Sequence, residues 1–229
     1  MKENETSSRI LGLRRFSTVE LLIALALLFF FFPFVEEVKG GDLIVAVLLS
    51  LVLLSAVLAV ASSRCTLIVA LLLAIPAVAG RLINHFRPDL VPATVFLVAG
   101  LGLVAFVVVN LLRFVLRAPS VNGEVLCASI SAYLMLGLMW TIAYWLVAQV
   151  TPTAFAFNTT TGTKESMHGF NAFYFSFVTL STVGYGDITP VSKVARMLAA
   201  MEAMTGLLYV AVLIARLVSL YSTPKSDDS

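Results

Sequence analysis

Charge is scarce in this chain. Only 12% of its 229 residues are Asp, Glu, Lys or Arg, while 60% are hydrophobic. A soluble domain is nearer half apolar and about a quarter charged. The formal net charge is +2, and no nucleic-acid partner is expected. Histidine is almost missing, with His85 and His168 alone, and cysteine is limited to Cys65 and Cys127. Neither cysteine has a partner at zinc-site spacing. The chain also lacks a phosphate loop, a zinc motif and a nucleophile constellation, which argues against enzyme chemistry and an organic cofactor.

What the chain has is long apolar runs. A run of about 20 apolar residues is enough to span a bilayer. Six stand out: Val19 to Val35, Leu43 to Ala61, Cys65 to Ala79 (extendable to Ile83), Leu90 to Leu112, Val125 to Val150 and Val194 to Leu220. Arg14 and Arg15 precede the first run, as in a signal peptide. No small-residue cleavage site follows it, so it reads as a retained helix. Pro76 is expected to kink the third run. The Ser62-Ser63-Arg64 connection makes the second and third a tight antiparallel hairpin. Gly100 and Gly102 of the fourth permit close helix contact without matching four-residue spacing. The stretch from Phe170 to Ser181 is helical in character but too short to span.

That stretch ends in Thr182-Val183-Gly184-Tyr185-Gly186-Asp187. The hexapeptide resembles the selectivity filter of potassium channels, and the likeness extends over Glu124 to Tyr221. The whole chain is similar to prokaryotic-type six-transmembrane potassium channels of the pore-loop, voltage-gated-like superfamily. The resemblance implies an all-α membrane protein. A four-helix peripheral bundle would occupy 19–117, and a pore domain 124–221 would carry a re-entrant pore helix and filter. Residues 1–18 would be a cytoplasmic N-terminus and 222–229 a cytoplasmic tail. One chain supplies one filter loop and an ion needs four around it, so a homotetramer in the lipid bilayer is implied.

Filter chemistry accounts for the residue types. An ion that sheds its water needs carbonyl oxygens in exchange. Successive carbonyls face one axis only if the dihedrals alternate in handedness, which glycine tolerates. The expected ion-binding stretch is Thr182, Val183, Gly184, Tyr185 and Gly186. The carbonyls of Thr182 to Tyr185 are the potassium ligands, and the Thr182 hydroxyl is added at the inner end. Gly184 and Gly186 act as backbone devices. Val183 and Tyr185 should point away from the axis and brace the loop, and Asp187 should face the outer mouth.

Six spans place both termini on one side, and the filter loop outside makes that side cytoplasmic. Of the basic residues, nine fall inside in this arrangement and six outside, a weak positive-inside bias. Arg81 and Arg87 run against it. Both cysteines lie near the cytoplasmic face, where reduced thiols are expected. Asn158-Thr159-Thr160 is a glycosylation sequon in the outer loop.

By resemblance, Tyr174, Phe175, Val178, Asp187 and Glu202 support the filter. Tyr174 is expected to bond Asp187. Phe175 cannot donate a hydrogen bond, and Val178 stands where some two-helix channels have a glutamate. Glu202 lies at a depth where an ionisable group is normally paired. Its partner is expected on the pore helix or a neighbouring subunit, with Tyr209 and Arg196 within two helical turns. A structural tie is favoured over a proton-sensitive gate. Gly206 matches an inner-helix hinge glycine, with hinge bending and close packing on the pore helix as alternatives. Leu207, Val210 and Ile214 would line the cavity and inner gate. Arg216 is expected to face away from the pore. His168 precedes the pore helix, where a pH-sensing role is secondary to that of a loop residue.

The fourth run departs from the voltage-gated pattern. It has no charge inside it, and Arg113 and Arg117 come only at its end. Weak voltage dependence is expected. After Tyr221 the tail is short and polar, so it is expected to be disordered, with no attached cytosolic ligand-binding domain. The implied function is passive potassium conduction across the cell membrane. A non-selective cation channel, a silent subunit of a heteromeric channel and a potassium transporter are the alternatives.

Overall fold

The computed structural model describes residues 2–36, 41–60, 64–86, 92–158 and 166–221. Several sequence expectations lie outside them: the Ser62-Ser63 turn, Arg87, Lys164, Thr159 and Thr160 of the sequon, and the tail from 222. The side chains of Cys65, Arg81 and His85 are likewise outside. Cys127 is a half-buried free thiol.

The order is α1 (Lys2–Glu36), α2 (Gly41–Val60), α3 (Arg64–Phe86), α4 (Ala93–Arg117), α5 (Gly123–Val150), β1 (Phe155–Phe157), α6 (Gly169–Leu180), β2 (Ile188–Pro190) and α7 (Lys193–Tyr221). Helices dominate because an apolar solvent leaves each backbone amide to find its partner within the segment. Four of them are long and apolar enough to cross a membrane: Thr18–Val35, Ala93–Arg117, Gly123–Val150 and Lys193–Ser219. The apolar stretches Val47–Ala59 of α2 and Thr66–Gly80 of α3 are shorter.

Two features differ from the sequence expectation. The fourth span begins at Ala93 rather than Leu90, because Pro92 takes the N-cap position with φ −59° and ψ 139°. Proline has no amide proton to continue a helix behind it. The all-α expectation also omitted a ribbon: β1 and β2 pair antiparallel, with Phe155 opposite Pro190, Ala156 opposite Thr189 and Phe157 opposite Ile188. Strands this short show no periodicity in a sequence and depend on their surroundings for stability.

The α5 start is well marked. The Asn122 side chain accepts from the Val125 amide at 3.0 Å, and Glu124 sits in the first turn, near the positive helix end. In α1 the buried residues Leu21, Leu25, Leu28 and Phe32 fall on one stripe, and α4 buries Phe96, Gly100, Leu103, Val107 and Leu111 in the same manner. Lipid is as apolar as leucine, so these stripes hold helices together by close packing rather than by escape from water.

The helices α1–α4 are not detached from α5–α7. Both α1 and α4 pack on α5, and α1 also reaches α6. The Phe29 ring meets Phe173 and Phe177 edge-on at 4.7 and 4.5 Å, and Phe32 meets Phe173 at 5.0 Å. By contrast α7 is the least covered span, with only 11% of it buried. Met197, Met201, Met204, Leu207, Leu208 and Ile214 all lie open on it.

Candidate ion-conduction site

The site is the loop 181–187 between α6 and β2. It grows out of the carboxyl end of α6, where unpaired carbonyls carry the negative end of the helix dipole. The chain folds back on that end. The Ser181 amide donates to the Phe177 carbonyl at 3.1 Å and the Thr182 amide to Thr179 at 2.9 Å. The amides of Val183 and Gly184 both donate to the Val178 carbonyl, at 2.9 and 3.3 Å. The Ser181 hydroxyl adds a bond to Phe177 O at 2.6 Å.

Handedness then alternates. Thr182, Gly184 and Gly186 have φ of 60°, 58° and 81°, while the residues between them stay out of the left-handed region. Glycine takes such values without steric penalty. For a β-branched residue they are an outlier that the surroundings must impose, and the Thr182 amide bond to Thr179 is one such constraint. The sequence reading gave the left-handed positions to the glycines and missed Thr182. Among the described residues, the carbonyls of Thr182, Val183, Gly184 and Tyr185 accept no hydrogen bond. The Gly186 carbonyl differs: it accepts from the Asn158 side chain at 2.9 Å.

The supporting residues fall into two groups. Tyr174 and Asp187 reach the loop. The Tyr174 ring stacks on Tyr185 with centroids 6.5 Å apart and planes 4° from parallel. Its hydroxyl faces the Asp187 carboxylate, and its pKa is pushed up to about 12, by desolvation first and then by that neighbour. Val178 reaches the loop through its carbonyl. Phe175 does not: its buried ring turns to Tyr144 at 4.9 Å and Phe155 at 5.5 Å. It packs α6 on α5 and β1. Val183 and Tyr185 are 53% and 72% exposed, and among the described residues Tyr174 is the ring that stacks on Tyr185.

Behind the pore helix lies a buried polar cluster. Glu202 on α7 is fully buried. The Tyr144 hydroxyl donates to its Oε2 at 2.5 Å and the Ser176 hydroxyl lies 2.6 Å from its Oε1. Ser176 also reaches the Gly137 carbonyl at 2.8 Å. The pore-helix partner was expected, but Tyr144 on α5 was not identified from sequence. Tyr209 bonds the Ser129 carbonyl at 2.6 Å, and Arg196 bonds the Pro190 carbonyl at 3.1 Å. Arg216 reaches the Ala118 carbonyl at the end of α4, at 2.9 Å.

Gly206 sits against the last turn of α6. A Cβ there would lie 2.1 Å from the Leu180 carbonyl oxygen, a contact that only glycine permits. Leu207, Val210 and Ile214 are 65%, 42% and 55% exposed on the open side of α7. His168 occupies the N-cap position of α6 without a side-chain capping bond.

Residues 134–223 match the family described as ion channel. These residues carry an ion-channel domain. Two curated proteins share sequence with it. The chain is 47% identical over 49 residues to "Two-pore potassium channel 4" of Arabidopsis thaliana, covering 21% of this chain and 17% of that one. It is 40% identical over 70 residues to "Voltage-gated potassium channel Kch" of Escherichia coli (strain K12), covering 27% and 17%. The chain thus spans about a sixth of the length of the curated relatives it matches. No solved structure matches. Together with the four long apolar helices, the ion-channel domain makes this a multi-pass membrane protein, similar to potassium channels of the pore-loop superfamily.

Proposed function

We propose that four copies of this chain assemble into a potassium-selective channel and that each contributes the loop Thr182 to Gly186. The observation that carries this reading is the alternation of left-handed residues at 182, 184 and 186. Alternation turns successive carbonyls to one side, and the carbonyls of Thr182 to Tyr185 are those without internal donors. Four such rings replace the hydration shell of a dehydrated ion. The ion moves passively, down its electrochemical gradient, with potassium as the transported species.

The open face of α7 and the uncovered Val183 and Tyr185 suit a tetramer in which neighbouring copies cover them. In that assembly Leu207, Val210 and Ile214 face the cavity, and apolar rings of this kind gate by dewetting. All six apolar runs span, both termini are cytoplasmic, and the absence of charge on α4 before Arg113 makes gating weakly voltage-dependent.

The test is the reversal potential of the purified protein in planar bilayers, with potassium on one side and sodium on the other. The expected result is a shift to the potassium equilibrium potential, abolished by Gly184→Ala, which forces a side chain into φ 58°. A reversal near zero makes the pore a non-selective cation pathway. Current only after co-expression with another channel subunit makes the chain a silent partner.

A further inference from the structure

The outer end of the filter is held from a direction the motif does not reveal. The β1–β2 ribbon ends at the pair Phe157 and Ile188. Its next step places Asn158 opposite Asp187, and the Asn158 amide donates to the Asp187 carbonyl at 2.7 Å. The Asn158 side-chain amide donates to the Gly186 carbonyl at 2.9 Å. One residue therefore holds two successive carbonyls at the filter exit. The ribbon that aims it is itself pinned, since the amides of Val191 and Ser192 both donate to the Ala154 carbonyl, at 2.8 and 3.2 Å.

We propose that Asn158 is a positioning residue for the outer filter: by holding the Gly186 and Asp187 carbonyls it sets how long the open filter keeps conducting. Gly186 has φ 81°, and glycine moves between left- and right-handed regions with little penalty. The peptide after it can thus rotate unless its carbonyl is held. On the pore-helix side, Tyr174 holds the Asp187 carboxylate. On the ribbon side, Asn158 holds the carbonyls. Asn158 is exposed, so water competes for each bond and its net worth is modest. A bond of that strength adjusts the rate of a local rearrangement without deciding whether the domain folds.

This inference rests on the pore reading, and its test keeps the two apart. Wild type, Asn158→Ala and Asn158→Asp are recorded as full chains in planar bilayers, and the decay of current during long openings is measured. Loss of one net hydrogen bond predicts decay roughly three- to tenfold faster in Asn158→Ala, with the reversal potential unchanged. Asn158→Asp sets a carboxylate against the Gly186 carbonyl and decays faster still at neutral pH. At an external pH near about 4 its carboxyl regains a proton it can donate, and decay returns towards wild type. Asp187 and Tyr174 face the same place in both variants, so Asn158→Ala at the same pH accounts for their contribution and shows no recovery.

Decay within twofold of wild type in Asn158→Ala overturns the proposal, as does Asn158→Asp without acid recovery relative to Asn158→Ala. If Asn158→Ala passes no current, the decision moves to the potassium concentration that half-protects the purified protein against thermal unfolding. That concentration should rise several-fold, and an unchanged value overturns the proposal. Wild type without potassium selectivity removes the pore reading as well, whereas selective wild type with unaltered variants removes only the role of Asn158.

Discussion

The Tyr144 hydroxyl donates to the Glu202 carboxylate at 2.5 Å, joining residues 58 positions apart. Ser176 of the pore helix meets the other carboxylate oxygen at 2.6 Å. Through these two bonds α5, α6 and α7 share one buried polar point. A buried acid must be hydrogen-bonded to be tolerated at all, and here its partners come from two separate helices. The cluster therefore fixes the depth of the pore helix relative to α7.

Glu202→Ala should be the most damaging single change outside the loop. It strands the Tyr144 hydroxyl, leaves Ser176 with the Gly137 carbonyl alone and opens a void where the carboxyl group packed, a loss of about 2–4 kcal/mol. Tyr144→Phe leaves both other members in place and should cost only about 1–2 kcal/mol. Thermal unfolding of the purified variants in detergent should rank them in that order. Equal losses would mean that the carboxylate is not the hub.

Gly137 offers a test of packing alone. A Cβ at this position would lie 2.2 Å from the Phe177 ring, and Phe177 is held on its other side by Phe29 at 4.5 Å. Gly137→Ala should destabilise by about 1–3 kcal/mol through overpacking. Adding Phe177→Leu removes the obstructing ring and should recover part of the loss. Thermal melts of the two single variants and the double variant give the coupling. Strict additivity would show that the ring and the glycine do not touch in the assembled channel.

The limits of the sequence are physical. Long apolar runs fixed where α1, α4, α5 and α7 lie, because length and composition alone determine a span. The conformation of the loop 182–187 could be read because Gly184 and Gly186 serve the backbone, so residue type reports conformation directly. Glu202 announced that it needed a partner, yet Tyr144 looked like one more aromatic in an apolar helix. Its role depends on a contact across 58 positions, which no local pattern encodes. Asn158 could be seen only as part of a sequon, and its function depends on a ribbon whose strands are each 3 residues long. Phe175 was assigned to filter support by resemblance, and its packing against Tyr144 of α5 depends on helical rotation that the motif does not state.

Tyr174→Phe removes the donor to Asp187 but keeps the ring that stacks on Tyr185. Decay of current during long openings should accelerate by roughly fivefold, the equivalent of about 1 kcal/mol. The pH dependence has a definite sign. The folded phenol has its pKa raised from 10.0 to about 12. The bond's contribution is therefore complete below about pH 10 and is lost as pH rises through about 12. Decay in wild type should be flat from pH 7 to 10 where this bond controls it. Acceleration already at pH 9 would assign control to another group.

Voltage should matter little. The α4 helix has no charged side chain before Arg113, and both Arg113 and Arg117 are exposed at its end. A charge crossing the field contributes about 2.3 kcal/mol per 100 mV, and here no charge on α4 is placed to cross it. Open probability between −100 and +100 mV should change with an equivalent charge below about one per subunit. Neutralising both residues, Arg113→Gln with Arg117→Gln, should leave that slope unchanged. A steep slope that the double variant abolishes would make the α4 terminus a sensor.

Gly206 separates two roles that its position in the sequence leaves open. Alanine in mid-helix is favoured over glycine by about 0.8–1 kcal/mol, so a hinge would be stiffened and α7 made more stable. Packing predicts the reverse sign. The added Cβ would fall 2.1 Å from the Leu180 carbonyl oxygen, a backbone atom that cannot turn aside as a side chain can. The helix must then move away from the end of α6, where the filter begins. The loss should be about 1–3 kcal/mol after the helix-propensity gain is deducted. Gly206→Ala is expected to lower the thermal midpoint and the fraction of current-carrying protein together, with α7 displaced outward. A variant as stable as wild type, or more so, with only its open probability altered, would establish the hinge. Gly206→Ala combined with Leu180→Ala distinguishes the carbonyl from the Leu180 Cδ1 at 3.0 Å. If the carbonyl governs, shortening the side chain restores nothing.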